Sequence, residues 1–222
     1  MTRTPASARR DPADQQMAFP FIGGRPCLDF VATLGKRHTT PVERLADPGA
    51  LARWISQAGL PADPDGMRIT TEDLADGRAL REALYRLLLA AMGGQDPDPA
   101  DVAHVNEAAA RPDLAPQLAL VETESDTEAE AGTEAEAESE RQPVLHWRAE
   151  HPAPAALATV ARDAVLLVSG PLLTRVKECA NPECALLFLD DSQARRRRWC
   201  SMDRCGNLAK VAEYRSRTRN RS

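Results

Sequence analysis

The 222-residue sequence has no apolar run approaching the ~20 residues needed to cross a bilayer, and membrane partners are not expected. No apolar h-region follows its first residues, so the expectation is a cytoplasmic protein whose thiols stay reduced. It lacks a phosphate-cradling glycine loop, because Gly23-Gly24 is too short and opens no clear helix. His38, His104, His146 and His151 are scattered without metal or triad spacing. Cys27 sits in an apolar segment, where a lone cysteine is usually a small core residue. No catalytic residue is assigned, and the expectation is that the protein is not an enzyme.

Basic residues are also missing from one long stretch. Positions 122 to 140 hold nine acids and no Lys or Arg. Such a composition cannot bury enough apolar surface to fold alone, so residues 123–141 are expected to be a disordered loop joining two short strands, 117–122 and 144–148. The net charge of −5 averages two unlike parts. Residues 175–222 carry ten Arg and two Lys against six acids, a surplus of six positive charges, which leaves −11 for the remainder. A basic end of this kind is suited to a polyanion.

Residues 1–17 show no periodicity and are expected to be a disordered tail. Gly23-Gly24 marks a turn into an apolar segment, and for residues 27–34 the pattern leaves strand and helix open. Asp47-Pro48 opens a helix that Gly59 ends. A second helix is expected over 71–92, a third from Asp98-Pro99 to Arg111-Pro112, and a fourth, apolar nearly all round, over 154–169. Gly170-Pro171 then separates an 18–170 domain from a 171–222 module. The fold class expected is α+β: a mainly helical N-terminal domain with a small antiparallel sheet, plus a C-terminal finger.

What the module does have is two cysteine pairs, Cys179 and Cys184 followed by Cys200 and Cys205. Two close pairs across a hairpin-length spacer supply the four thiolates of one tetrahedral zinc ion. Four thiolates leave no open coordination position, so this zinc would be structural. Residues 174–178 and 185–190 read as a hairpin around the first pair, and a helix over 207–219 follows the second, the plan of a treble-clef finger. At 3.6 residues per turn Leu208, Val211 and Ala212 fall on an inner side, while Lys210, Tyr214, Arg217 and Arg221 form an outer stripe. Arg195, Arg196, Arg197 and Arg198 precede Trp199, and guanidinium groups bind phosphate bidentately. One or two of these arginines are expected to neutralise the zinc thiolates or pair with nearby aspartates, and Trp199 to cap the small core.

At these residues the chain resembles the CGNR zinc finger that follows an ABATE domain in bacterial proteins regarded as stress-induced transcription regulators. The matching residues are Cys179, Cys184, Phe188, Asp190, Ser192, the run from Arg196 to Met202, Cys205-Gly206-Asn207, Lys210 and Arg217. In the N-terminal half they are Gly23-Gly24-Arg25, Leu28-Asp29-Phe30, Thr33 and Arg81-Glu82-Ala83-Leu84. Leu208 stands where the family motif has arginine, and Ala32 where it usually has asparagine. The resemblance implies DNA binding and transcription regulation by the finger, with sensing of a small-molecule effector or homodimerisation by the N-terminal domain. RNA binding, or protein interaction with a purely structural zinc, is the alternative.

Overall fold

The computed structural model describes residues 17–60, 68–123 and 140–211. The expected tail, most of the acidic loop and the end of the last helix therefore lie outside the described residues. The segment that pattern left open is a short helix, α1 (Pro26–Val31), entered through Pro26 and burying Cys27, Leu28, Phe30 and Val31. A two-residue ladder follows, β1 (Leu34–Gly35) against β2 (Val42–Glu43).

The helical periodicities are realised where they were read. In α2 (Pro48–Gln57) the Asp47 carboxylate caps the first turn, accepting the Ala50 N–H at 2.7 Å. In α3 (Thr71–Met92) Thr70 and Asp73 form a reciprocal capping box, with Thr70 N–H to Asp73 at 2.8 Å and Asp73 N–H to Thr70 Oγ1 at 3.1 Å. The helices α4 (Pro99–Ala110) and α5 (Pro152–Val168) complete the domain. Because α5 is alanine-rich and apolar round most of its circumference, α1, α3 and α4 all pack against it. Trp54 and Phe30 fill the centre, their rings 4.8 Å apart.

Between α4 and α5 runs a hairpin, β3 (Ala115–Thr123) with β4 (Glu140–Arg148), in unbroken antiparallel register. Here the sequence reading was too short. Arg141, Gln142 and Pro143 show no apolar alternation, yet β4 begins at Glu140 because each residue finds a register partner on β3. The chain then passes through a 3₁₀ turn (Pro171–Arg175) into β5 (Val176–Glu178), which pairs with β6 (Leu187–Leu189). The architecture is thus helical with small antiparallel sheets and a C-terminal finger, as expected.

Candidate metal centre and basic loop

The two cysteine pairs converge. Ligand atoms of Cys179, Cys184, Cys200 and Cys205 all lie within 4.8 Å of one another. Cys200 Sγ is 3.7 Å from Cys184 Sγ and 3.6 Å from Cys205 Sγ. A tetrahedron with ~2.3 Å arms has edges of roughly 3.8 Å, so the sulfur spacing fits one zinc ion.

Local backbone bonds aim each thiol. In the first knuckle Cys184 N–H donates to Asn181 O at 2.9 Å and Cys179 N–H to Leu186 O at 2.9 Å. Asn181 Nδ2 donates to Cys205 Sγ and Cys200 N–H to Cys179 Sγ, each at 3.4 Å, so both pairs are also linked to each other. In the second knuckle Ser201 Oγ caps the turn Met202–Gly206 by accepting the Arg204 N–H at 3.1 Å, which turns Cys205 inward at the start of the last helix.

The electrostatics fit a cation. Thiol hydrogen bonds from Cys184 and then Cys200 hold the Cys179 thiol far below the ordinary range. Bonding to that thiolate in turn pushes Cys184 up to about 12 and Cys200 higher still. One negative charge is therefore accommodated by the thiols themselves, whereas a dication favours four. Zinc bound here supplies a cross-link between the two knuckles, and the four-sulfur set offers no open position for substrate.

The finger is built into the helical domain. Ala32, at the end of α1, is buried in one apolar cluster with Leu186, Phe188 and the buried cysteines, with Ile22 and Trp199 packed around it. The position where resemblance expects asparagine thus presents a methyl group to the sulfur cluster. Leu189 N–H donates to Gly23 O at 2.8 Å, Lys36 N–H to Cys184 O at 3.3 Å, and His38 Nε2 lies 2.9 Å from Glu178. Val176 and Leu187 of the hairpin join the main helical core.

The Gly23-Gly24 turn is needed for this seam. Gly24 has φ +81°, and a Cβ on Gly23 would sit 2.7 Å from Leu28 Cβ. Asp29 holds the turn by accepting the Gly23 N–H at 2.7 Å, and Arg25 fastens it to α5 through Asp163 at 2.5 Å. Buried Cys27 also donates its N–H to Asp163, and burial pushes its thiol well up, the state of an inert core thiol.

Asp190 organises the arginine run, a role its place in the motif did not disclose. Fully buried, it accepts Lys177 Nζ at 2.5 Å, Ser192 Oγ at 2.5 Å, Ser192 N–H at 3.1 Å and Arg197 N–H at 3.0 Å. These donors, Lys177 first, hold its carboxyl well below the usual range. Lys177 Nζ also donates to Arg195 O at 2.7 Å, so the loop backbone is tied at two points.

The four arginines then separate. Arg197 turns inward: its guanidinium lies 4.7 Å from the Phe188 ring centre, donates to Trp199 O at 3.0 Å and also reaches Cys200 O. Arg195, Arg196 and Arg198 are exposed, Arg198 with its guanidinium carbon 5.2 Å from the Trp199 ring centre. Lys210 is exposed; Tyr214, Arg217 and Arg221 lie outside the described residues. For two of the three inner-side residues the expectation fails: Leu208 is 63% and Val211 47% exposed, so they do not pack, while Ala212 lies outside the described residues. The finger's apolar interior is already filled by Phe188, Leu186 and Ala32.

Two cations escaped the sequence reading: Arg204, which directly precedes Cys205 in the second knuckle, and Arg44, which only the tertiary structure brings here. Arg44 of the helical domain and Arg204 of the second knuckle line one cleft of about 500 Å³ beside Cys184 and Cys205. Burial, and then Arg204, lower the Arg44 pKa to about 10, which leaves it charged near the thiolates at neutral pH.

This joint construction matches two family models. Residues 24–171 match the ABATE model, described as "Putative stress-induced transcription regulator". The chain belongs to the ABATE family. Residues 175–218 match the CGNR zinc finger, which contains all four cysteines and the arginine run. Among curated proteins none matches the chain. No described helix of this ABATE protein is long and apolar enough to cross a membrane.

Proposed function

We propose that this ABATE protein is a zinc-dependent DNA-binding transcription regulator, in which the CGNR finger presents Arg195, Arg196, Arg198 and Lys210 to the phosphate backbone. The helical domain has the sensing or dimerising role, and the protein binds rather than catalyses. The observation that carries this reading is the division of the arginine run. Arg197 is spent on the fold, while its three neighbours point outward from a backbone clamped by Asp190 and Lys177. Guanidinium groups held on a fixed loop lose little entropy on meeting phosphate, and their charge contrasts with the acidic remainder of the chain.

The test is fluorescence anisotropy with a labelled mixed-sequence duplex and zinc-loaded protein, from about 50 to 300 mM salt. Affinity should fall steeply with salt, and replacing Arg195, Arg196 and Arg198 with Gln should reduce the log–log slope by about 2.7, three contacts at ~0.9 each. An unchanged slope rejects the assignment. Stronger competition by structured RNA than by duplex at equal salt would transfer the reading to RNA, and no binding at ~50 mM salt would leave a protein-interaction module.

A further inference from the structure

The cleft that Arg44 and Arg204 share opens along the seam between the helical domain and the finger, and its volume of about 500 Å³ is that of a small-molecule site. The helical domain supplies Gly35, Lys36 and Arg44 from the β1–β2 ladder and the residues that follow its strands, and the finger supplies both knuckles and Leu208. Charge in this lining is sorted by depth. Arg44 is buried and Lys36 and Arg204 are half-buried, whereas the acids Glu183 and Asp203 are exposed to water. Screening by solvent weakens the acids more than the cations.

The backbone is shaped to hold these cations in the wall. A Cβ on Gly35 would stand 2.5 Å from Arg44 Nη1, so the missing side chain lets the guanidinium lie against β1, where Nη1 donates to Ala32 O at 3.3 Å. Lys36 has φ +51°, a left-handed conformation that non-glycine residues rarely take, and its N–H bond to Cys184 O holds that turn on the finger. Arg44 and Arg204 stand close enough for their like charges to oppose each other. An anion between them relieves a repulsion that the fold maintains.

We infer that this cleft binds a small phosphate monoester, with the phosphate among Lys36, Arg44 and Arg204 and the organic part against Leu186 and Leu208. Cys184 and Cys205 also border the cleft. A zinc ion with four thiolates has a formal charge of about −2, so these two sulfurs offset roughly one of the three positive charges and about two remain to be met. A phosphate monoester brings about −1.5 to −2 and three strong acceptor oxygens, whereas a carboxylate brings one charge. Leu208, 63% exposed, gives the organic part an apolar surface on the finger side. Such a ligand touches both sides of the seam at once. Its binding needs no DNA, so this inference stands apart from the DNA reading.

Isothermal titration calorimetry of the zinc-loaded full chain with phenyl phosphate, at about 50 mM salt and without DNA, tests this. Phenyl phosphate should bind about threefold or more tighter than inorganic phosphate, which lacks the apolar part, and than benzoate, which lacks the second charge. Arg204→Gln should weaken binding about fivefold or more with zinc content unchanged, and Lys36→Gln decides the matter if Arg204→Gln loses zinc. Arg148→Gln, on the β3–β4 hairpin, should leave the constant within about twofold. Hydrogen exchange at the Lys36 N–H should slow when the ester is bound. Absence of binding, full affinity in both Arg204→Gln and Lys36→Gln, equal loss in Arg148→Gln, or benzoate binding as tightly each overturns the proposal. Displacement of phenyl phosphate by duplex DNA would also overturn it and give the cleft to the DNA backbone.

Discussion

Lys177 Nζ lies 2.5 Å from the buried Asp190 carboxylate and 2.7 Å from Arg195 O, so one ammonium group ties the hairpin of the finger to the loop that displays the arginines. The display is thus a property of a buried acid and a lysine on β5, not of the arginines alone.

Replacing Asp190 with Ala should release that loop. Lys177, Ser192 and the Arg197 N–H would lose their shared acceptor, and tryptic cleavage after residues 195–198 should accelerate roughly tenfold in zinc-loaded protein. Timed digestion followed by mass spectrometry reads this directly. Equal cleavage rates in the two proteins would remove Asp190 from its organising role.

Zinc removal should be felt in both parts of the chain. Lys36 donates its N–H to Cys184 O and Leu189 donates to Gly23 O, so loss of the metal loosens the seam as well as the knuckles. Native protein should hold about one zinc per chain. On chelation, hydrogen exchange should rise at Cys179, Cys184 and Leu189 and also at Lys36. Protection at Lys36 that survives chelation would show that the helical domain holds its side of the seam alone.

Asp29 should give a pH-dependent stability of unusual sign. Burial pushes its carboxyl up to about 6, against the N–H bonds of Gly23 and Ile22 that pull it down. In an unfolded chain it ionises near 3.9, so the native state binds this proton more tightly. Its contribution is full below about pH 4 and is lost as pH rises through about 6. Asp29→Asn keeps an oxygen for the Gly23 N–H and removes the titration. Urea unfolding should therefore show Asp29→Asn gaining on the wild type by about 1 kcal/mol between pH 5 and 7.5. Parallel pH profiles would show that Asp29 does not titrate in this window.

Arg81 is the buried anchor of the β1–β2 region. It is 3% exposed and holds both oxygens of Glu43 at 2.6 and 2.7 Å, with Glu82 at 2.8 Å and Thr33 Oγ1 at 3.3 Å. Arg81→Met should cost about 1–2 kcal/mol, because Glu82 keeps Arg37 and Glu43 keeps the Leu45 N–H while both lose their buried guanidinium partner, and Arg81→Lys should recover only part, since an ammonium group cannot span Glu43 bidentately. Chemical denaturation of both variants measures the difference; full recovery by Lys would reduce the site to a point charge.

Much of this fold was legible because its signals are local. Asp47-Pro48 and Asp98-Pro99 mark helix starts through bonds made within a few residues. The zinc site was equally legible: the spacing of Cys179, Cys184, Cys200 and Cys205 encodes two knuckles whatever the rest of the chain does. The extent of β4 was not, since Arg141, Gln142 and Pro143 become strand only by pairing with β3.

The sequence by itself determined which atoms hold the metal and where the positive charge lies, because thiol spacing and arginine content are properties of a short contiguous stretch. Only the tertiary structure decided that Arg197 faces Phe188 while Arg195, Arg196 and Arg198 face water, and that Leu208 does not pack. It also decided that Ala32 of the helical domain closes the sulfur cluster of the finger. Those outcomes depend on which of several apolar and charged groups reaches a shared interior first in space, and a one-dimensional pattern does not carry that competition.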